Sequence, residues 1–239
     1  MSEVVRAKIL LNQEIAKGVF KMQLMLAQSY PQPEPGQFVN VYLNDASRLL
    51  PRPLSVCDWK DGLLTLVYAV VGEGTRILSG YSNTVRVTTP LGNGFSKDSP
   101  ALLVGGGLGV PPMVYLSRFL SDARVVLGFR SQPILAEEFP FTVEIATDDG
   151  SVGTKGNVVD LLKQSGVAAG TKIYACGPKP MLKALNDFAL SQGLDIEVSL
   201  EERMGCGYGA CVGCSCKTVN GKRKVCEYGP VFEGKEVVW

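Results

Sequence analysis

The stretch "SKDSPALLVGGGLGVPPM", residues 96–113, divides the chain into two parts with different patterns. Ala101–Val104 is a short apolar run that predicts a buried strand, and the glycines after it predict a tight turn. The spacing of apolar residues in Pro111–Ser121 predicts a helix. Prolines are tolerated in its first turn, because the N–H groups there have no partner inside the helix. A strand, a glycine-rich turn and a helix in this order indicate a nucleotide-binding unit.

Strands and helices alternate after this stretch. The predicted strands are Val125–Gly128, Thr142–Thr147, Lys172–Ala175 and Ile196–Ser199, and the predicted helices are Val158–Gln164 and Met181–Ser191. Alternation of this kind predicts a parallel, doubly wound sheet with helices on its faces. We therefore expect an α/β nicotinamide-binding domain over residues 98–200.

The first 97 residues have the pattern of an all-β domain. The predicted strands are Val4–Leu11, Val19–Leu26, Gln37–Leu43, Pro53–Cys57, Leu63–Val71 and Thr84–Thr89, separated by turns rich in Gly, Pro, Asn and Asp. A helical turn is predicted only at Thr75–Tyr81. Six closely spaced strands and one short helix predict a small closed β-barrel over residues 1–97.

Composition excludes several classes of protein. Of the 239 residues, 46% are hydrophobic, and 24 Lys and Arg balance 23 Asp and Glu, which gives no electrostatic case for nucleic acid or an anionic membrane as partner. No apolar run reaches the ~18 residues that a membrane span needs. The start of the chain lacks the basic and apolar pattern of a signal peptide. We expect a cytoplasmic protein with reduced thiols, and the odd number of cysteines, 7, argues against a closed disulfide framework.

Five of the seven cysteines lie in "GCGYGACVGCSCKTVNGKRKVC", residues 205–226. Cys206, Cys211, Cys214 and Cys226 have the spacing C-x4-C-x2-C-x11-C, and the first three fit the plant-type [2Fe–2S] pattern with a distant fourth ligand. The interspersed glycines allow backbone N–H groups to approach the cluster closely. We therefore predict a [2Fe–2S] module over residues 201–239.

Two other interpretations of this segment are weaker. A zinc ribbon usually has two C-x2-C pairs, and this segment has one. Burial alone would not concentrate five thiols in so short a stretch. Cys216 is then a small neighbour of the cluster, and the isolated Cys57 and Cys176 are expected to be buried.

A flavin site is indicated by two short motifs in the barrel domain. In "RPLSVCDW" an arginine, Arg52, lies between two prolines on an extended stretch, where its guanidinium could hold a diphosphate through two hydrogen bonds. Ser55 could bond the edge of a flavin ring. In "GEGT", residues 72–75, backbone N–H groups at the start of a helix would favour a phosphate.

A nicotinamide site is indicated at two turns of the second domain. "GGGLGVPP" supplies Gly105, Gly106, Gly107 and Gly109, and "YACGPKPM" supplies Cys176, Gly177 and Pro178, each set at the carboxyl end of a predicted strand. Cys176 would lie near the nicotinamide, or would be a small buried residue that makes room for it. Arg130 and Ser131, after the predicted strand Val125–Gly128, could hold the 2′-phosphate of NADP.

These motifs, taken in order, resemble the ferredoxin–NADP⁺ reductase superfamily over about residues 1–200. The ending "LEERMGCGYGACVGCSCK…VCEYGPVF" narrows the resemblance to the electron-transfer subunits of type B dihydroorotate dehydrogenases, over the whole chain. This resemblance implies NAD rather than NADP as substrate. It also implies that FAD contacts Arg52, Pro53, Leu54, Ser55, Val67, Tyr68, Ala69, Gly74 and Thr75.

The resemblance also implies a partner and a direction for the electrons. The family works as a heterotetramer, two copies of each chain, with a catalytic subunit that carries FMN and oxidises dihydroorotate to orotate in pyrimidine biosynthesis. Electrons are then expected to pass from that FMN through the [2Fe–2S] cluster and FAD to NAD⁺. This chain has no histidine, the commonest general base, so the proton abstraction is expected on the partner.

Two other functions remain open from the sequence. The chain could be a reductase subunit that serves a transhydrogenase, a sulfite reductase or a hydrogenase. Alternatively, the cysteine segment could be a zinc-stabilised docking piece on a reductase fold that has lost its activity. Trp239 at the end of the chain is expected in a packed or interface tail, since the cysteine segment separates it from the flavin domain.

Overall fold

The computed structural model describes residues 3–45 and 48–239, so residues 1, 2, 46 and 47 of the predicted barrel domain lie outside it. The barrel contains six strands and one short helix: β1 (Val4–Ala16), β2 (Val19–Met25), β3 (Phe38–Tyr42), β4 (Arg52–Lys60), β5 (Leu63–Ala69), α1 (Glu73–Ser79) and β6 (Thr84–Thr88). The strands are antiparallel in the order β1-β2-β5-β4-β3-β6, and β6 pairs with β1 to close the barrel. The predicted closed barrel is therefore confirmed.

The second part of the chain is the predicted parallel sheet with helices on both faces. Its elements are β7 (Ala101–Gly106), α2 (Val110–Ser117), β8 (Ala123–Phe129), β9 (Val143–Thr147), β10 (Thr154–Lys155), α3 (Val158–Ser165), β11 (Lys172–Cys176), α4 (Lys179–Ser191) and β12 (Ile196–Ser199). Strand β7 lies between β8 and β11, and its residues are buried because both faces of the sheet are covered.

The C-terminal segment has more regular structure than the sequence suggests. A hairpin is formed by β13 (Ser215–Thr218) and β14 (Gly221–Lys224), and α5 (Val225–Tyr228) and β15 (Val231–Glu233) follow it. Strand β15 pairs antiparallel with β12 and completes a seven-stranded sheet. The segment therefore shares a sheet with the second part of the chain. These elements are too short to produce a periodic pattern that could be read from the sequence.

The two main parts of the chain are joined through α2. The hydroxyl of the buried Tyr115 donates to the carbonyl oxygen of Pro33 at 2.8 Å, and Arg118 lies 3.9 Å from Asp58 in β4. Tyr115 belongs to the apolar core of the barrel although it sits on a helix of the sheet domain. Within residues 3–45 and 48–239, no helix has the length and hydropathy needed to cross a membrane.

Candidate functional site

The two predicted flavin motifs meet in space. A Cβ at Gly74 would overlap Nε of Arg52, so the guanidinium lies directly on the first turn of α1. Among the described residues, Arg52 has no carboxylate partner, and its recorded hydrogen bond runs from Nη1 to the carbonyl oxygen of Pro51 at 3.3 Å. A guanidinium without a carboxylate partner, beside exposed backbone N–H groups, fits the diphosphate of FAD.

Other residues of the predicted flavin set have structural partners. Thr75 Oγ1 accepts from the N–H groups of Val71 and Gly72, at 3.0 and 3.3 Å, and so caps α1. Tyr68 is buried, and its hydroxyl donates to Asn12 at 2.8 Å. Val67 is buried as well, which leaves the backbone and Ala69 as the parts of this segment open to a ligand. Pro53, Leu54 and Ser55 are half-buried on β4, and their contact with FAD stays a prediction.

A groove of about 560 Å³ lies at the carboxyl edge of the parallel sheet. Of the predicted nicotinamide residues, Gly106, Gly107 and Pro178 line it. The turns after β7 and β11 touch there, since a Cβ at Gly177 would lie 3.1 Å from Cα of Gly106. Ligands of open α/β sheets bind at this edge, and a groove floored by glycines lets a dinucleotide approach the backbone closely.

The remaining predicted residues lie behind the groove. Gly105 is inside β7, between Val110 and Leu127, and a Cβ at Gly109 would overlap the carbonyl oxygen of Cys176. Cys176 is buried, and burial, with Glu201 nearby, raises the pKa of its thiol. Gly105, Gly109 and Cys176 are therefore packed behind the groove, as expected if Cys176 is a small buried residue.

Several groove residues were missed by the motif search. They form the carboxyl end of β8, follow β9, or lie at the start of α3 and on α4: Gly128, Phe129, Asp148, Asn157, Val158 and Met181. Arg130, which the sequence offered as a contact for NADP, also lines the groove. The rule that ligands bind at the carboxyl ends of parallel strands could have found Asp148, since it directly follows a predicted strand.

The four predicted cluster ligands lie as two pairs. The Sγ atoms of Cys214 and Cys226 are 3.3 Å apart, and the side chain of Cys206 contacts that of Cys211. A [2Fe–2S] cluster takes four cysteines, two on each iron, so two pairs of thiols are the arrangement that it requires. Within residues 3–45 and 48–239, no three Cys, Asp or Glu side chains surround a single point as for one metal ion.

The backbone around the thiols supplies N–H donors to sulfur. The N–H group of Gly209 donates to Sγ of Cys226 at 3.2 Å, and that of Cys211 donates to Sγ of Cys206 at 3.3 Å. Although partial burial opposes ionisation, N–H groups of the loop lower the pKa of Cys206 to about 7. Gly207 and Gly209 have φ angles of +75° and +88°, which turn the loop around the thiols. This donor set fits an iron–sulfur cluster.

The fifth thiol of the segment, Cys216, belongs to β13 and is buried in the apolar core. Burial raises its pKa, which disfavours the thiolate that a metal needs. Cys57 is buried in β4, and its pKa is raised for the same reason. Trp239 packs against the same core as Cys216, so the end of the chain is a packed tail.

The barrel, the parallel sheet and the C-terminal cysteine module define a reductase of the ferredoxin–NADP⁺ reductase superfamily with an added iron–sulfur module. The ferredoxin NADP⁺ reductase of Neisseria gonorrhoeae with bound FAD and NADP has this fold at a TM-score of 0.65, with 15% identity over 80% of this chain and 92% of its own. A chain of the NADH-dependent reduced ferredoxin-NADP oxidoreductase is more similar, with a TM-score of 0.88, 31% identity, and coverage of 98% of this chain and 90% of that one.

Sequence relatives identify the family. The family described as the iron–sulfur cluster binding domain of dihydroorotate dehydrogenase B matches residues 201–238. The electron transfer subunits of dihydroorotate dehydrogenase B (NAD(+)) from Caldanaerobacter subterraneus and Geobacillus thermodenitrificans are 37% and 41% identical, each over 98% of both chains. This chain belongs to the family of dihydroorotate dehydrogenase B electron transfer subunits.

Proposed function

We propose that the protein is the electron transfer subunit of an NAD⁺-dependent dihydroorotate dehydrogenase and carries electrons from a catalytic partner to NAD⁺. The observation that carries this conclusion is the match to curated relatives over 98% of the chain, which includes the cysteine module. Bound FAD and the [2Fe–2S] cluster supply the redox chemistry, because a flavin exchanges electrons either in pairs with a nicotinamide or singly with a cluster.

The residues of the barrel bind and orient FAD in this proposal. Arg52 and the first turn of α1, at Gly74, hold the diphosphate by charge and hydrogen bonds. Ser55, three residues along the same strand, bonds the edge of the flavin ring in this proposal. The buried Val67 and Tyr68 hold the neighbouring strand in place, so the floor of the flavin site is rigid.

The groove at the sheet edge holds NAD⁺. The backbone of Gly106 and Gly107 carries the diphosphate, and Pro178 lines the groove beside Gly106. Asp148 and Arg130 both line the groove, and the carboxylate of Asp148 can accept a hydrogen bond from a ribose hydroxyl and disfavours a 2′-phosphate. The charge of Asp148 and the names of the NAD(+)-dependent relatives support NAD⁺ rather than NADP⁺ as the acceptor, although Arg130 alone would favour a 2′-phosphate.

The cysteine pairs hold the cluster, and the partner supplies dihydroorotate chemistry. We infer that the partner carries FMN and that two copies of each chain form the working complex, as in the family that the chain resembles. The chain has no histidine to act as general base, which supports proton abstraction on the partner. We also infer a cytoplasmic location, because cysteines that hold a cluster must stay reduced.

The decisive experiment uses the complex purified anaerobically from its own cells. Reduction of NAD⁺ by dihydroorotate is measured in the complex, then in this subunit after removal of the partner. We expect activity that disappears on removal and returns when the partner is added back. An intact complex that retains FAD and cluster but does not reduce NAD⁺ with dihydroorotate would contradict the proposal.

A second candidate is a subunit of an NADH- and ferredoxin-linked transhydrogenase. It rests on the 31% identity to a chain of the NADH-dependent reduced ferredoxin-NADP oxidoreductase over 98% of this chain. The same preparation separates the two candidates: activity with reduced ferredoxin and NADP⁺, without activity on dihydroorotate, would favour the second.

A further inference from the structure

Asn40 links the barrel to the cluster loop. This asparagine sits in the middle of β3 and is fully buried. Its side-chain Nδ2 donates to the carbonyl oxygen of Cys206, the first of the four cluster cysteines, at 2.9 Å. Its backbone N–H donates to Thr88 Oγ1 at 3.0 Å, which fixes this point of β3 within the barrel. One side-chain amide therefore joins a rigid strand to a ligand-bearing loop.

The contact between Asn40 and the loop is close. A Cβ at Gly207 would lie 2.5 Å from Nδ2 and 2.6 Å from Oδ1 of Asn40, so only a glycine allows the loop to rest on this side chain. The φ angle of Gly207 is +75°, a conformation that also favours glycine. The next residue after the first cluster ligand is thus shaped to receive Asn40.

The face of the barrel that carries Asn40 also carries predicted flavin residues. In the pairing of β3 with β4, Asn40 lies opposite Pro53, and Phe38 lies opposite Ser55. Opposite residues of an antiparallel pair point to the same face, and alternate residues of a strand share a face. Asn40 and Ser55 therefore point to the same side of the sheet, one register step apart.

Stability alone does not explain an asparagine at this position. Oδ1 of Asn40 is the one buried side-chain polar atom, among those the structure describes, that lacks a hydrogen-bond partner. Burying an unpaired acceptor is unfavourable, and an apolar side chain of similar shape would avoid that cost. The cost of burying this oxygen must therefore be offset by the hydrogen bond that the amide nitrogen donates to Cys206.

We propose that Asn40 is a positioning residue that fixes the loop of Cys206 against the flavin-binding strands and so sets the placement of the cluster relative to FAD. The inference rests on the proposed function, because it takes FAD to lie on this face of β4 and the cluster on the cysteine pairs. Asn40 acts through the backbone of Cys206, whose carbonyl oxygen accepts from its amide nitrogen.

The test compares three single variants in the complete complex. Asn40→Leu removes the donor at similar size, and Asn40→Ser keeps a shorter donor. Asn186→Leu is the matched control. Asn186 is also buried and also packs on a glycine, Gly234. Its side-chain amide can donate to the carbonyl oxygen of Gly234 at 3.1 Å. It belongs to α4 and touches no cluster cysteine in the recorded contacts.

Three quantities are measured: iron and FAD content, the electron paramagnetic resonance spectrum of the chemically reduced cluster, and the rate of electron transfer from cluster to FAD in a single turnover. We expect Asn40→Leu to keep its FAD, to show an altered cluster spectrum and to transfer electrons more slowly, because the loop of Cys206 is no longer fixed by this hydrogen bond. Asn40→Ser is expected to lie between, and Asn186→Leu to match the wild type.

A wild-type spectrum and rate in Asn40→Leu would overturn the proposal, as would equal effects of Asn40→Leu and Asn186→Leu. Loss of iron from Asn40→Leu alone, with FAD retained, supports it. Chemical reduction does not need dihydroorotate, so the proposed function can fail, by lack of activity in the wild-type complex, while this inference is still decided.

A double-mutant cycle tests the contact itself. Gly207→Ala should accelerate the loss of iron to a chelator, because its Cβ strikes the amide of Asn40 and its φ is strained. Asn40→Ala removes the obstacle, so the double variant should lose iron more slowly than the product of the two single effects predicts. Multiplicative effects would show that the two residues act independently and would contradict the proposal.

Discussion

At the scale of single residues, the proposed flavin site depends on the absence of one side-chain atom. The missing Cβ of Gly74 lets the guanidinium of Arg52 rest on the start of α1. The "RPLS" and "GEGT" motifs could be read as ordinary strand and turn, and their contact in space is what makes the pair fit a diphosphate.

Gly74→Ala is expected to weaken FAD binding by about tenfold or more, as for the loss of a hydrogen bond to a charged group. The new methyl group displaces a flexible side chain rather than the backbone, so the fold should survive. The dissociation constant of FAD is measured by flavin fluorescence. Gly72→Ala is the control, since a Cβ there meets no atom within 4 Å; equal weakening in both variants would contradict the role of Arg52.

Asp148 lines the groove proposed for the nicotinamide nucleotide, and we propose that its charge disfavours NADPH relative to NADH. Asp148→Asn is expected to strengthen NADPH binding by about tenfold relative to NADH, because a carboxylate no longer repels the 2′-phosphate beside Arg130. Titration of each nucleotide gives the two dissociation constants. Asp149→Asn is the control, since Asp149 does not line the groove and bonds the N–H of Ser151 at 2.9 Å. If Asp149→Asn instead changed the ratio of the two dissociation constants, the selectivity would depend on Asp149 rather than Asp148.

At the scale of elements, β15 attaches the cysteine module to the sheet. Lys172 of β11 lies 3.3 Å from Glu197 of β12 and 3.4 Å from Glu233 of β15, so one ammonium group joins three strands. Partial burial alone would lower the pKa of Lys172, but the two carboxylates outweigh it and raise the pKa. The contribution to stability is therefore present below the unfolded pKa of about 10.4 and is lost as pH rises through the higher folded value.

Lys172→Met is expected to destabilise the protein by about 2–4 kcal/mol, since it leaves Glu197, only 7% exposed, without its counter-charge. Denaturant unfolding near neutral pH measures the change. Lys183→Met removes an exposed lysine that pairs with Asp187 at 2.9 Å, and should cost less than about 0.5 kcal/mol. Similar losses in the two variants would mean that the pairing of β12 with β15 does not depend on Lys172.

At the scale of the whole molecule, three parts share cores and hydrogen bonds across their boundaries. One apolar core contains Phe38 of the barrel, Leu182 of α4 and Cys214 of the module. The side chain of Asn93 donates to the carbonyl oxygens of Tyr228 and Val231, at 3.2 and 3.0 Å, from the end of the barrel domain. The division at residues 97 and 200 stays a prediction, and these contacts indicate that the third part depends on the other two.

Tyr115→Phe tests the join between barrel and sheet. The variant leaves the buried carbonyl of Pro33 unpaired, which costs about 1–3 kcal/mol, and each kcal/mol lowers Tm by about 2–4 °C for a chain of this size. A thermal melt of the subunit with FAD gives the value. Tyr208→Phe removes a hydroxyl from a side chain that is 54% exposed and should leave Tm unchanged. An unchanged Tm in Tyr115→Phe would show that the hydrogen bond from Tyr115 to Pro33 does not stabilise the contact between barrel and sheet.

The sequence by itself determined the barrel and the alternating α/β part, and it predicted the four cluster ligands. These features rest on local patterns: period-2 runs between turn residues, alternation of strand and helix, and the C-x4-C-x2-C spacing. The tertiary structure decided what lies in contact. Arg52 contacts Gly74, and β15 pairs with β12 at the edge of the sheet. Cys176 lies behind the groove, and Asn40 bonds Cys206, 166 positions away in the sequence. Such contacts depend on register and packing between distant segments, which no local pattern encodes.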